Sequence, residues 1–397
     1  MEWPSFLKAL LLGLLVFLQM HENTACFHEE RIALLELKAV LKSNIDHRLL
    51  SSWIDDAKST DCCAWERVTC NSTTAHIINL SLYDLNQDPH YYDDPAGEYY
   101  SKYEDKKHWL LNVSLLVPFK ELRSLNLSGN LIGGCVPNQG FERLAVLPKL
   151  EILDLGYNSF GNSIIPSLSG LTSLNTLSLV GNNLGRFNTT TDFESLSRLE
   201  NLETLDLSYN DLKRSIIESL PTIKSLKNLN LGWNYMGGSF PIKGLESLSR
   251  LENLEMLDLS YNNFDKSIIE SLSAVKSLKN LYIGWNDIGG SFPGKSLSNF
   301  SRLEILDLTV NSFTGSISPY IKALPSLKAI SLAYNQLNGT FPKVKDPCAV
   351  NCNLNKLTRG NILEFLLDER KLKIIDLSHN KLKGSFPIWL IENNTRL

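Results

Sequence analysis

Leu122-Arg123-Ser124-Leu125-Asn126-Leu127-Ser128-Gly129-Asn130 is the stretch whose reading decides the fold. It has the form L-x-x-L-x-L-x-x-N, and the form returns. Copies begin at Leu122, Leu150, Leu174, Leu202, Leu226, Leu254, Leu278, Leu303, Leu327 and Leu372. Their spacings are 28, 24, 28, 24, 28, 24, 25, 24 and 45 residues. A weaker copy, Ile77, Leu80 and Leu82, precedes them and lacks the Asn. L-x-L has period two, so both Leu face one side of a short strand and the residue between faces the other. One such strand cannot bury its apolar side alone. Stacked copies bury a continuous core. The Asn falls where the chain leaves the strand, where its amide can serve turn backbone groups and stack into a ladder.

Several copies continue as G-x-Φ-P: Gly238-Ser239-Phe240-Pro241, Gly290-Ser291-Phe292-Pro293, Gly339-Thr340-Phe341-Pro342 and Gly384-Ser385-Phe386-Pro387. Gly permits a tight turn and Pro fixes φ, so the far side of each coil is expected to be extended or a short 3₁₀ turn. Residues 194–245 and 246–297 are nearly the same 52-residue unit, with Trp233 returning as Trp285.

The full motif resembles the plant-specific leucine-rich repeat of receptor-like proteins, receptor-like kinases and polygalacturonase inhibitors. Glu29-Glu30-Arg31-Ile32-Ala33-Leu34-Leu35-Glu36-Leu37-Lys38, Leu50-Ser51-Ser52-Trp53 and Asp61-Cys62-Cys63-Ala64-Trp65 through Cys70 resemble that family's N-terminal cap. The resemblance implies an α/β repeat solenoid. It would be a curved array with a parallel concave sheet, a short 3₁₀ or irregular convex side and a disulfide-bonded cap with a helix. Four cysteines near the start, Cys26, Cys62, Cys63 and Cys70, read as two disulfides in an oxidising compartment. By resemblance the pairs are Cys26–Cys62 and Cys63–Cys70. The other three are Cys135, Cys348 and Cys352, of which Cys348 and Cys352 are a candidate further bridge. Ile32, Leu34, Leu35, Leu37, Val40 and Leu41 give the cap helix an apolar face to cover the end of the core.

The domain reading follows. Residues 1–25 are a signal peptide, with Lys8 ahead of an apolar run from Ala9 to Leu18 that is too short to span a bilayer. Residues 26–75 are the cap. Residues 76–342 are repeats, interrupted by a Tyr- and acid-rich insert at 84–118 that reads as an exposed loop. Residues 343–368 are an irregular or degenerate repeat, and 369–397 are a last repeat with a truncated end. Sequons occur at Asn71, Asn79, Asn112, Asn126, Asn188, Asn299, Asn338 and Asn393, consistent with a glycosylated extracellular chain.

A net charge of −4 gives no reason to expect nucleic acid or anionic membrane as a partner. The seven His are scattered, no Cys/His set completes a metal site, and neither G-x-S-x-G nor H-E-x-x-H occurs. Gly289-x-x-x-x-Gly294-Lys295-Ser296 formally matches a phosphate-binding loop. It spans a repeat's G-x-Φ-P and contains Pro293, so that reading is rejected. No enzyme and no cofactor are expected.

What remains is the sheet face. The residue between the last two Leu of each copy forms one column: Asn126, Asp154, Ser178, Asp206, Asn230, Asp258, Tyr282, Asp307, Ser331 and Asp376. The residue before the Asn forms a second: Gly129, Tyr157, Gly181, Tyr209, Trp233, Tyr261, Trp285, Val310, Tyr334 and His379. Coils stack about 5 Å apart, so both are continuous stripes. Asp206, Tyr209, Trp233, Asp258, Tyr261, Tyr282 and Trp285 are the expected ligand-facing residues, suited to a protein or peptide with a basic loop. The expected function is the ligand-binding region of a plant cell-surface receptor-like protein in defence or development, working with a co-receptor kinase. A membrane helix would lie beyond this chain; as given, the chain would be secreted. The competing reading is a secreted inhibitor of a wall-degrading enzyme such as polygalacturonase.

Overall fold

The structure, a computed structural model, describes residues 26–45, 50–55, 61–85, 108–185, 191–238, 246–315, 324, 326–340, 374–376 and 378–383. The signal segment, Cys348, Cys352 and the sequons at Asn188 and Asn393 lie outside them. The chain divides into two compact units, Met1–Asn182 and Asn183–Leu397.

The first unit begins with the cap helix His28–Asn44. It buries Ala33, Leu34, Leu37 and Leu41, as its spacing requires. Ile32 departs from the expected apolar face and is 40% exposed. Its place is taken by Glu30, which is buried because its carboxylate has partners: Oε2 accepts the Ile77 backbone N–H at 3.1 Å, and Oε1 lies 3.1 Å from His76 Nδ1. Phe27 stacks on His76 with ring centroids 3.7 Å apart. Cys26 is joined to Cys62 and Cys63 to Cys70, tying the helix to the segment that enters the sheet.

Strand Val68–Cys70 pairs antiparallel with Ile77–Ser81. From there pairing is parallel, through Ser124–Asn126, Ile152–Asp154 and Thr176–Ser178. The sheet of the second unit is parallel through Thr204–Asp206, Asn228–Asn230, Met256–Asp258, Asn280–Tyr282, Ile305–Asp307, Ala329–Ser331 and Ile374–Asp376. Register sets Leu205 opposite Leu229, then Leu257, Leu281 and Leu306, and all five are fully buried. Each strand shows its centre buried and its flanks half-buried, the imprint of period two.

The far side carries 3₁₀ turns such as Phe141–Val146 and Leu220–Thr222, and short helices such as Ile164–Leu168 and Ser267–Leu272. It also carries further parallel pairing, seen where Gly289–Ser291 pairs with Ser312–Gly315 and that strand with Gln336–Thr340. The segment resembling a phosphate-binding loop therefore starts inside a strand ladder.

One boundary moves. Residues 108–118 of the expected insert belong to a coil. Trp109–Leu111 pairs with Ile132–Cys135, and Trp109, Leu111, Val113 and Leu116 are buried. Leu85 is buried too, with its N–H donated to Asn130 Oδ1 at 3.0 Å, so it stands where other coils have the Asn. The apolar residues that fill this coil do not follow L-x-x-L, which hid it. At the other end, strand Ile374–Asp376 pairs directly with Ala329–Ser331, so the 45-residue spacing separates coils that are neighbours in the sheet.

Candidate functional site

The column between the last two Leu, at the C-terminal end of each short strand, has an internal duty. Asp206 Oδ1 accepts the backbone N–H of Ser208 at 2.9 Å. The same bond recurs from Asn126 to Ser128, Asp154 to Gly156, Asn230 to Gly232, Asp258 to Ser260, Asp307 to Thr309 and Asp376 to Ser378. An Asx side chain two residues before an N–H folds the chain off the strand, which is why Asp and Asn dominate the column. Each acid of the column spends one oxygen on its own turn, and the other oxygen of Asp206 accepts Asn230 Nδ2 at 3.2 Å. Burial raises the Asp258 carboxyl above the usual carboxylate range, with Asp206 and Asp307 adding to it and the Ser260 bonds opposing. Burial, then Asp258 and Asp307, raises the Tyr282 phenol.

The second column is left-handed throughout. Tyr157, Tyr209, Trp233, Tyr261, Trp285, Val310, Tyr334 and His379 have φ between 49° and 54°. Gly129 and Gly181 hold the same place at φ 71° and 62°, where glycine bears no steric cost. In the second unit the aromatic members stack in a row. Tyr209 and Trp233 have ring centroids 4.7 Å apart, Trp233 and Tyr261 3.6 Å, Tyr261 and Trp285 4.7 Å, with interplanar angles of 11–14°. Val310 ends this row, and Tyr334 and His379 stack beyond it at 3.9 Å. Trp233 and Trp285 remain 40% and 47% exposed. Stacked pairs of this kind contribute about 0.5–1.5 kcal/mol each beyond area burial. The ladder is thus both a brace and an exposed ridge.

Beside the ridge, each Asn binds its neighbour coil. Asn262 Nδ2 donates to the carbonyls of Leu231 at 3.0 Å and Leu259 at 3.1 Å, and Oδ1 accepts the Met236 N–H at 3.1 Å. At the opposite edge of the strands runs a charge ladder that the sequence reading missed. Lys227 pairs with Glu203 at 2.7 Å, Lys279 with Glu255 at 2.8 Å and Lys328 with Glu304 at 2.6 Å. The signal was present as alternating sign after the first Leu of successive copies. Exposed pairs of this kind contribute about 0–1 kcal/mol, but they cancel the charge of that edge.

Of the expected ligand-facing residues, Tyr209, Trp233, Tyr261 and Trp285 are brought into one stack. Asp206, Asp258 and Tyr282 lie on the adjoining strands. Among the described residues Cys135 has no disulfide partner; it is half-buried, and burial pushes its thiol up to about 11. Among the described residues no group of His, Cys, Asp and Glu is arranged to hold a metal ion, and no helix is long and apolar enough to cross a membrane.

A chain whose coils bury L-x-x-L-x-L and brace themselves with an Asn ladder is a leucine-rich-repeat protein, and comparison with known families agrees. A model of the leucine-rich repeat region matches residues 111–366, the leucine-rich-repeat N-terminal domain matches 27–71 and a further leucine-rich repeat matches 371–393. The chain belongs to the leucine-rich-repeat family. It is similar to receptor-like protein 21 of Arabidopsis thaliana, 37% identical over 254 residues, which are 61% of this chain and 23% of that protein. It is also similar to receptor-like protein 13 of the same plant, 35% identical and covering 63% of this chain and 25% of that one. The chain thus spans about a quarter of the length of the curated relatives it matches. Among solved structures it resembles the Arabidopsis receptor kinase HAESA in complex with the peptide hormone IDA and the co-receptor SERK1. There the TM-score is 0.59 at 24% identity, over 90% of this chain and 54% of that one. A plant ice-binding protein gives a TM-score of 0.54 at 23% identity, over 91% of this chain and 96% of that one. Likeness at this level concerns the fold.

Proposed function

We propose that this chain is part of the extracellular ligand-binding region of a plant cell-surface receptor-like protein in defence or developmental signalling. Its ligand is a protein or peptide, held on the sheet face of the second unit, and a co-receptor kinase completes the signal. The observation that carries this reading is the row Tyr209–Trp233–Tyr261–Trp285, large aromatic side chains left exposed outside the Leu core. Such residues dominate binding energies at protein surfaces. The naming of the relatives as receptor-like proteins supports it, as does the peptide hormone bound to a neighbour of the same fold. Recognition rather than catalysis suits a face whose carboxylates are engaged in turns.

The test is a random peptide library selected on the secreted chain, with the winners measured on two variants. Trp233→Gly with Trp285→Gly removes the indoles while keeping a residue that tolerates the left-handed backbone, as Gly129 and Gly181 do. Deleting residues 86–107 removes the rest of the acidic insert without touching the coil at 108–118. The expected result is a loss of about tenfold or more for the double Trp variant and none for the deletion. Winners that ignore the Trp pair and need residues 86–107 would move recognition to the insert.

A further inference from the structure

We propose that the aromatic ridge of the second unit docks a basic polyproline-type segment, one that carries a cationic side chain at every third residue. This rests on the reading of that face as the recognition surface and names the chemistry of its partner.

Three observations on the face converge. The first is the geometry of the ridge. Tyr209, Trp233, Tyr261 and Trp285 cover one another's ring faces at 3.6–4.7 Å. A ligand that must lie flat on a ring, such as a sugar, finds the inner faces occupied. The ridge offers ring edges and indole N–H donors instead. Indole N–H is a donor only. Its complement is a backbone rich in unpaired carbonyls, and polyproline II supplies one, because it makes no internal hydrogen bonds and its prolines have no N–H. Aromatic-lined surfaces dock such segments at low entropic cost.

The second is charge. The Lys of the strand edge are cancelled pairwise by Glu203, Glu255 and Glu304. At the strand ends Asp206, Asp258, Asp307 and Asp376 alternate with uncharged Asn230, Tyr282 and Ser331 and meet no cation in the column, so the charge next to the ridge is of one sign, negative. Their turn bonds hold one oxygen of each towards the backbone, which fixes the carboxylates in place along the face.

The third is spacing. These Asp stand on alternate strands, with Asn230, Tyr282 and Ser331 between them. Neighbouring strands are about 4.8 Å apart, so the acids repeat every ~10 Å. A polyproline II helix turns once in three residues and rises about 9 Å in doing so, placing every third side chain on one face. An extended β segment puts residues three apart on opposite sides and does not match.

The probes are synthetic peptides titrated calorimetrically against the secreted full chain. A Lys-Pro-Pro repeat peptide is expected to bind, and to weaken as salt is added. A Glu-Pro-Pro repeat of the same length is expected not to bind. A Lys-Pro-Pro-Pro repeat with the same number of Lys, now out of phase, is expected to bind about tenfold more weakly or worse. Asp258→Asn with Asp307→Asn is expected to cost the in-phase peptide about tenfold. Asn fills this column at Asn126 and Asn230 with the same turn bond, so the variant keeps its fold. Equal binding of the two Lys peptides overturns the proposal, and so does indifference to the Asp pair or no binding of the in-phase peptide. Library winners that need Trp233 and Trp285 but show no basic period would overturn this inference alone. The absence of any ridge-dependent winner would overturn the recognition reading with it.

Discussion

The Asn of each repeat shows what a single residue does here. The side chain of Asn262 joins two coils at once: it shares the Leu231 carbonyl with Asn234 and the Leu259 carbonyl with Asn286, and among the described residues it alone accepts the buried Met236 N–H. Asn262→Leu is therefore expected to cost about 1–3 kcal/mol in thermal or denaturant unfolding, because buried backbone groups are left unmade. A fair control must be chosen from the structure. Asp265, near in sequence, accepts the Ser267 N–H at 2.9 Å and starts a helical turn, so it is no neutral site. Exposed Glu252 is, and Glu252→Ala is expected to change little. Equal losses from Asn262→Leu and Glu252→Ala would remove the ladder from the account. The Leu and Asn roles were legible in the sequence because each follows from side-chain chemistry and period. The left-handed column was not. Tyr, Trp and Val all occupy it although none favours φ near 50°. Only Gly129 and Gly181, at the same place in their copies, hinted at the backbone beneath. Stacking between rings was equally hidden, since it depends on strand separation as well as on residue type.

At the level of elements, the cap helix is where sequence reading and structure part most usefully. An apolar face was expected, and Leu34, Leu37 and Leu41 supply it. The pattern could not show that Glu30 would turn inward, because the His76 and Ile77 groups that receive it lie on the first strand and its approach. The charges around that carboxyl are His76 on its own side and Glu121 beyond, itself bonded to Lys149. Burial raises the Glu30 carboxyl above its ordinary value, with the His76 and Ile77 bonds opposing. A carboxyl whose folded pKa is raised stabilises the fold below its unfolded pKa, and that contribution is lost as pH rises through the folded value. Glu30→Gln keeps an acceptor for the Ile77 N–H and removes the titration. Hydrogen exchange of His28–Asn44 is expected to quicken in the native chain, relative to Glu30→Gln, as pH rises from about 4 to about 7. Parallel behaviour of the two chains would show that Glu30 does not govern the docking of the helix. The coil at 108–118 was obscured for a similar reason. Its buried Trp109 donates to the Asn130 carbonyl at 2.8 Å, a partner more than twenty residues away that no local pattern reveals.

For the molecule as a whole, the distribution of sequons sets the two units apart. In the first unit Asn79 and Asn126 stand on the strands themselves, on the face a ligand would approach. Asn126 also donates to Asp154 Oδ2 at 3.1 Å. In the second unit the described sequons avoid that face: Asn299 follows the short helix Gly294–Leu297, and Asn338 lies in the far-side strand Gln336–Thr340. Glycans on a recognition surface would block it, so the bare face of the second unit is the one expected to bind. This can be tested by adding a glycan rather than removing a side chain. Asn230 occupies the same column as Asn126 and differs in lacking Ser two places on; Gly232 stands there instead. A side chain at Gly232 would meet Asn230 Oδ1 and the Ser260 carbonyl at 3.3 Å. That is close, yet Ser128, Ser208 and Ser260 fill the same position in their coils, so Gly232→Ser is expected to fold and be secreted. It completes a sequon at Asn230, on the strand beside Trp233. The glycosylated variant is expected to lose the ridge-dependent library peptides, whereas glycans at the far-side sequons Asn299 and Asn338 would leave the native chain competent. Enzymatic removal of the glycan should restore binding, because it returns Asn230 to a residue of the Asp type already present at Asp206 and Asp258. Undiminished binding by a variant shown by mass spectrometry to carry its glycan at Asn230 would mean that the ligand approaches from elsewhere. Loss that persists after the glycan is removed would trace the effect to the Ser itself, and the glycan would then say nothing about the face.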